Sequence, residues 1–243
     1  MYFGDDFNEL ISLENYVDFP NSLNINEATI LSEAIDPDEG FGNTLRPVFI
    51  VLLYSDSSFD RFVEKFVKGQ NYWHAAISFG PALSRCYSYN FGEANANKIK
   101  GGLSFESIGF YKKEHPEGTM EVSAFFINKE KYKKIKDSIE YYIKNKEKTK
   151  YSFINLFWSY IGKQKTLRLN QVCSTFVDAL LKSVDIDVNG KPTNLVKPDD
   201  LMKKEMLRKQ FIIYKGKIKD FDADKVIART DKLSQNIKND YFY

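Results

Sequence analysis

The chain has 243 residues, 43% hydrophobic and 15% aromatic, which excludes a chain disordered over most of its length. A net charge of +2, from 35 basic and 33 acidic residues, argues against a dedicated nucleic-acid binder. Two Cys make no disulfide framework, and no run approaches the eighteen or so apolar residues of a transmembrane helix.

Residues 1–45 read as an acidic N-terminal extension. Ten acidic residues stand against one Arg from Met1 to Arg46, with Pro20, Pro37, Gly40 and Gly42 among them. Met1 to Leu10 lacks the basic start and apolar run of a secretory signal, so no signal peptide is expected. Val48 to Tyr54 (VFIVLLY) is continuously apolar and reads as a central strand. Phe59, Phe62, Val63, Phe66 and Val67 have helical spacing, predicting a short helix over 58–67. Strands over 73–79 and 83–89 follow, joined as a hairpin through Gly80-Pro81. Residues 92–103 read as loop, and Thr119 to Ile127 as strand.

The spacing of Tyr132, Ile135, Ile139 and Tyr142 predicts a helix over 129–145 with a Lys-rich outer face. Lys129 to Lys150 holds nine Lys against four acids; the plain reading of both charge runs is a solvated surface, and the sharper one is that the acidic extension docks on this stretch or on a protein partner. Ser152 to Ile161 reads as helix. Cys173, Phe176, Val177, Leu180, Leu181 and Val184 predict another over 171–184. Asn189-Gly190 marks a turn, and Pro198-Asp199-Asp200-Leu201 a helix start. Phe211 to Tyr214 reads as an edge strand, and Val226, Ile227, Leu233 and Ile237 suggest a last helix. The organisation expected is an α+β domain over 46–214 followed by a C-terminal helical and aromatic extension over 215–243.

Two segments bear chemistry. Tyr72-Trp73-His74-Ala75-Ala76-Ile77-Ser78 is a strand with one imidazole, and Val172-Cys173-Ser174-Thr175-Phe176 is a helix start with one thiol. A thiol becomes a nucleophile when ionised, and a helix N-terminus with a nearby imidazole ionises it. Cys173 is therefore the candidate nucleophile and His74 the candidate base. Backbone N–H groups at the helix start would hold the oxyanion. The plainer alternative is a small core Cys and a packed His ring. Cys86 reads as packed and His115, in Lys112-Lys113-Glu114-His115-Pro116, as solvated. Two Cys and two His show no zinc spacing, and neither a Walker loop nor a dinucleotide glycine pattern occurs, so no metal and no cofactor is expected.

The order of these pieces resembles the circularly permuted branch of the papain-like NlpC superfamily, which includes lecithin:retinol acyltransferase-like proteins. The resemblance spans about 46–202. It rests on the strand Val48–Tyr54, His74 followed by Ile77-Ser78-Phe79-Gly80, and Cys86-Tyr87-Ser88-Tyr89. Tyr151-Ser152-Phe153-Ile154-Asn155-Leu156, the Cys173 helix and Lys197-Pro198-Asp199-Asp200-Leu201 complete it. It implies a permuted papain-like α+β fold, with an antiparallel sheet packed against the helix carrying Cys173.

It also implies a cysteine hydrolase, a peptidase or amidase acting on cell-wall or protein peptide bonds through a Cys173 thioester. The third catalytic member belongs on the strand after His74, where Ser88 is first choice and Asn90 second. Tyr151 and Trp73 are the expected substrate contacts. Two other functions are carried alongside: a catalytically weak structural or binding module of a larger assembly, and a thiol acyltransferase. The Lys-, Asn-, Ile- and Tyr-rich composition suits a low-GC Firmicute or its phage, so the expected location is cytoplasmic or virion-associated.

Overall fold

Alternate residues of β1 (Leu45–Tyr54) enter two different cores. Val48, Ile50 and Leu52 join one apolar cluster, and Phe49, Val51 and Leu53 join the other. A strand buried on both faces has no reason to alternate apolar with polar residues, and this one does not. The computed structural model describes residues 45–54, 71–90, 102–145, 148, 150–151, 170–202 and 210–241. The acidic extension and the helices expected over 58–67 and 152–161 lie outside the described residues.

Strand β2 (His74–Ser78) runs antiparallel to β1, with His74 opposite Leu53. Strand β3 (Cys86–Asn90) completes the expected hairpin. Its connection is shaped at Leu83, a buried non-glycine residue with φ of 52°, whose N–H donates to Gly80 O at 3.1 Å. The segment expected as loop over 92–103 ends instead in strand β4 (Gly102–Glu106), paired with β3 so that Glu106 lies opposite Cys86. Helix α1 (Ile108–Glu114) follows at once, its first turn capped by Ser107, which accepts from the Phe110 N–H at 3.2 Å.

Strand β5 (Thr119–Asn128) returns to the far side of β1. Asn128 ends it and caps helix α2 (Lys129–Lys144), which buries Tyr132, Ile135 and Ile139. Two short strands, β6 (Lys150–Tyr151) and β7 (Asn170–Gln171), pair in parallel. Gln171 leads through Val172 into helix α3 (Cys173–Lys182), which starts two residues later than predicted. The turn at Asn189-Gly190 is present, with Gly190 at φ of 65°, a left-handed conformation that suits glycine. Pro198–Met202 forms a 3₁₀ turn. Strand β8 (Gln210–Lys217) is longer than predicted, and residue 214 lies inside it. Helix α4 (Ala223–Tyr241) is the last element.

The sheet order is β4-β3-β2-β1-β5-β8, all antiparallel. Helices α2 and α3 cover the face that takes Ile50, Ala75, Ile77 and Tyr89. Helices α1 and α4 share the opposite cluster through Tyr111, Val226 and Ile237. Each fully buried aliphatic or aromatic side chain contributes about 1.5–3 kcal/mol by transfer from water. Among the described residues no helix is long and apolar enough to cross a membrane.

Candidate active site

Helix α3 is held by its apolar stripe. Phe176, Val177, Leu180 and Leu181 are buried against the sheet, and Phe176 meets Tyr89 and Tyr142 at ring centroid distances of 5.0 and 5.3 Å. Cys173 is one turn before Val177, so the stripe that fixes the helix also fixes the thiol's direction. The N-cap is Val172, whose side chain has no acceptor atom. Thr175 supplies half a capping box, its Oγ1 accepting the Val172 N–H at 3.0 Å. Ser174 donates instead to Val196 O at 2.7 Å. The backbone N–H groups of Cys173 and Ser174 therefore stand at the helix start without an acceptor among the described residues.

His74 opens β2. Its Nε2 lies 2.8 Å from Glu106 Oε2. The Cys173 thiol is, after Glu106, the other group that favours the charged imidazole. With Nε2 engaged by the carboxylate, Nδ1 is the ring nitrogen that remains to take a proton. Cys173 also approaches Trp73 O, with Sγ 3.9 Å away. Burial alone lowers the pKa of His74, but the Glu106 charge and the Cys173 hydrogen bond outweigh it and raise it well above the ordinary histidine value. Cys173 is 4% exposed and the His74 side chain 19%, so the pair lies just under the surface.

Glu106 is the residue the sequence reading missed. Its carboxylate is buried and has four donors: His74 Nε2 and Tyr111 Oη on Oε2, Asn90 Nδ2 and Ser104 Oγ on Oε1. The Tyr111 contact is 2.5 Å and the Asn90 contact 2.9 Å. Burial opposes its charge, yet the His74 charge and these hydrogen bonds hold its pKa down at about 2. The signal in the sequence was the alternation of Leu103-Ser104-Phe105-Glu106, which puts Ser104 and Glu106 on one face of a strand.

Ser88, the first choice for the third member, is not at the imidazole. Its Oγ donates to Ala75 O at 2.7 Å, stitching β3 to β2. The β2–β3 register pairs Ile77 with Tyr87 and Ser78 with Cys86, so the hydroxyl takes up a carbonyl beyond the end of the ladder. Asn90 acts one step away, on Glu106 rather than on the ring. Trp73 carries the carbonyl beside the thiol, and its indole Nε1 is buried with no hydrogen-bond partner among the described residues. Tyr151 stands opposite Gln171 in the β6–β7 ladder, two positions before Cys173. Cys86 is fully buried as expected, and burial, then the Glu106 charge, push its thiol pKa up. His115 is the C-cap of α1, its N–H donating to Tyr111 O at 2.8 Å.

Among the described residues no group of three or more His, Cys, Asp or Glu is placed to hold a metal ion. A cavity of about 340 Å³, lined by Glu121, Met202, Gln210 and Arg229 among others, contains neither Cys173 nor His74. The arrangement of thiol, imidazole and carboxylate can move a proton from sulfur to a ring that the carboxylate orients. Compared with family models, curated proteins and solved structures, the chain finds no match to any.

Proposed function

We propose that the chain is a thiol hydrolase, a peptidase or amidase of the permuted papain-like kind, with Cys173 as nucleophile, His74 as base and Glu106 as the group that orients the base. The observation that carries this reading is a His74 imidazole 2.8 Å from a buried carboxylate, with the carbonyl of the preceding residue, Trp73, 3.9 Å from the Cys173 sulfur at a helix start. In the proposed reaction the Cys173 proton passes to His74 Nδ1 and the sulfur attacks the substrate carbonyl carbon. The Cys173 and Ser174 N–H groups receive the oxyanion. The imidazolium then gives its proton to the leaving amine, and the C–N bond breaks. Water, deprotonated by His74, attacks the thioester, releasing the acid and restoring the thiol. Trp73 and Tyr151 remain the proposed substrate contacts. A partner held through the acidic extension and a cytoplasmic or virion-associated location belong to the same proposal.

Iodoacetamide labelling with peptide mapping tests it, followed by a panel of chromogenic peptide amides. Cys173 is expected to label faster than Cys86, and Cys173→Ala to lose amide turnover. Equal labelling of the two thiols, or turnover untouched in Cys173→Ala, overturns the reading. The 4% exposure of Cys173 favours a second reading, a binding module that keeps the fold without turnover. Under it, a partner would associate with the full chain and be lost on deletion of 1–45, while no amide is cleaved.

A further inference from the structure

The residues just before His74 are held by a carboxylate from the far end of the chain. Asp199 Oδ2 accepts the Asn71 N–H at 2.9 Å and the Asn71 side-chain Nδ2 at 3.0 Å. Its Oδ1 accepts the Tyr72 N–H at 2.9 Å. The next two residues are tied elsewhere. Trp73 N–H donates to Leu53 O at 2.9 Å, its carbonyl faces the Cys173 sulfur, and His74 pairs with Leu53 in the ladder. The segment 71–74 therefore has its backbone secured at every step, and Asp199 secures the first two.

Asp199 also belongs, mechanically, to the helix that carries the thiol. It lies in the 3₁₀ turn Pro198–Met202. That turn is joined to the start of α3 through Val196, whose carbonyl accepts from Ser174, the residue after Cys173, at 2.7 Å. Leu201 of the turn is buried in the same apolar cluster as Phe176, Val177 and Leu180. Lys191 adds a second tie, with Nζ 2.8 Å from both oxygens of Asp200. The turn and the helix start thus form one packed body, and the Asp199 carboxylate is the arm by which that body grips the His74 segment.

We propose that Asp199 is a positioning residue of the Cys173–His74 pair, a strut that sets the spacing between the helix bearing the thiol and the segment bearing the imidazole. It touches neither reacting atom. Two backbone N–H groups on the two oxygens of one carboxylate fix both the distance and the rotation of segment 71–72 against the turn. Without it, the hydrogen bonds left to the segment before His74 among the described residues are those of the Trp73 N–H and of the Tyr72 hydroxyl, which donates to Glu121 at 2.7 Å. The groups that act on the charge of the imidazole are the Glu106 carboxylate, with Tyr111, Asn90 and Ser104 behind it, and the Cys173 thiol. Asp199 acts on the placing of the thiol, whose sulfur lies 3.9 Å from Trp73 O.

The inference rests on the thiol–imidazole pair of the proposed function, and its test separates the two. The chain holds only two His and two Cys, so the ring signals of His74 and His115 can be followed by NMR against pH in the full-length protein, and each thiol can be mapped after iodoacetamide treatment. In Asp199→Ala the His74 midpoint is expected to fall by about one pH unit, the effect of losing one charge-assisted contact. Cys173 labelling at pH 7 is expected to slow about tenfold or more, as misplacement of a reacting group does, while Cys86 stays protected.

A folded Asp199→Ala that leaves the His74 midpoint and the Cys173 rate where they were overturns the strut. So does faster labelling of both thiols together, since that is general loosening. A wild-type chain whose His74 titrates at the ordinary histidine value removes the pair itself, and the strut with it. Should Asp199→Ala fail to fold, Asn71→Ala decides: it removes one of the three bonds at an exposed residue and must move both readouts in the same direction by less.

Discussion

Replacing Glu106 by Gln keeps the volume and removes the charge. It also turns one acceptor oxygen into an NH₂ group, while four donors, from His74, Tyr111, Asn90 and Ser104, converge on the site. The new NH₂ meets one hydroxyl, which can turn to accept, and one nitrogen donor, His74 Nε2 or Asn90 Nδ2, so at least one charge-assisted bond is replaced by donor facing donor. The size of the effect follows from the carboxyl itself. Holding it from 4.5 down to about 2 corresponds to about 3 kcal/mol at neutral pH, at about 1.4 kcal/mol per pH unit. That falls within the ~3–5 kcal/mol typical of removing one partner from a buried pair.

The pH dependence has a definite sign. Glu106 is lowered in the folded chain, so its contribution is present above its unfolded value and fades as pH falls from about 4.5 toward 2. His74 is raised, so its contribution is complete below about 6.5 and is lost as pH rises through the folded value. The pair is therefore worth most between about pH 4.5 and 6.5. Urea unfolding of wild type and Glu106→Gln across pH 3 to 9 is the assay. The difference is expected to peak in that window, and the His74 midpoint to drop in the variant. A difference under about 0.5 kcal/mol throughout, with His74 titrating as before, refutes the reasoning.

Three further outcomes are expected. Ser88→Ala should cost about 1 kcal/mol in urea unfolding, the worth of its bond to Ala75 O, and leave the His74 titration unmoved; a shifted titration would return Ser88 to the ring. Tyr111→Phe removes one donor from Glu106 and should destabilise by about 1–2 kcal/mol while shortening the acid limb of stability, whose lower end moves up with the folded carboxyl pKa. Gly118→Ala should lower the thermal midpoint, with a cost of about 1–3 kcal/mol from overpacking. A Cβ there would come within 2.6 Å of the Tyr54 backbone oxygen, which cannot swing aside as a side chain can; an unchanged midpoint would count against that account.

The strongly patterned elements were legible in advance. The run Val48–Tyr54 became the doubly buried β1, because continuous apolarity needs cover on both faces. Helix α2 matched its 3.6-residue pattern almost end to end. The thiol at the start of α3 and the imidazole at the start of β2 stand on the elements expected for them. Glu106 was not foreseen, for a physical reason. Gly101-Gly102 reads as a breaker, and a five-residue strand ending in a charge offers too few alternations to stand out. Burial of a carboxylate at 4% exposure depends on partners from β2 and β3, which are distant in sequence, as well as on Tyr111 of the helix that follows. Ser88 was preferred because it follows His74 on the next strand, but its hydroxyl satisfies a carbonyl that the closing ladder leaves open.

Strand β8 is the outermost strand of the sheet, with β5 as its one strand neighbour among the described residues. Lys215 and Lys217 project from it. Lys217 meets Glu117 at 2.7 Å, and Tyr214 folds its hydroxyl back onto Lys217 O. A second molecule arriving edge to edge would have to bring like charges together and strip these ammonium groups of water before gaining a single ladder bond. Lys215 is likewise held by Glu121 at 2.7 Å, so edge-to-edge association would have to desolvate two ion pairs, a safeguard that charge-neutral substitutions at Lys215 and Lys217 would weaken.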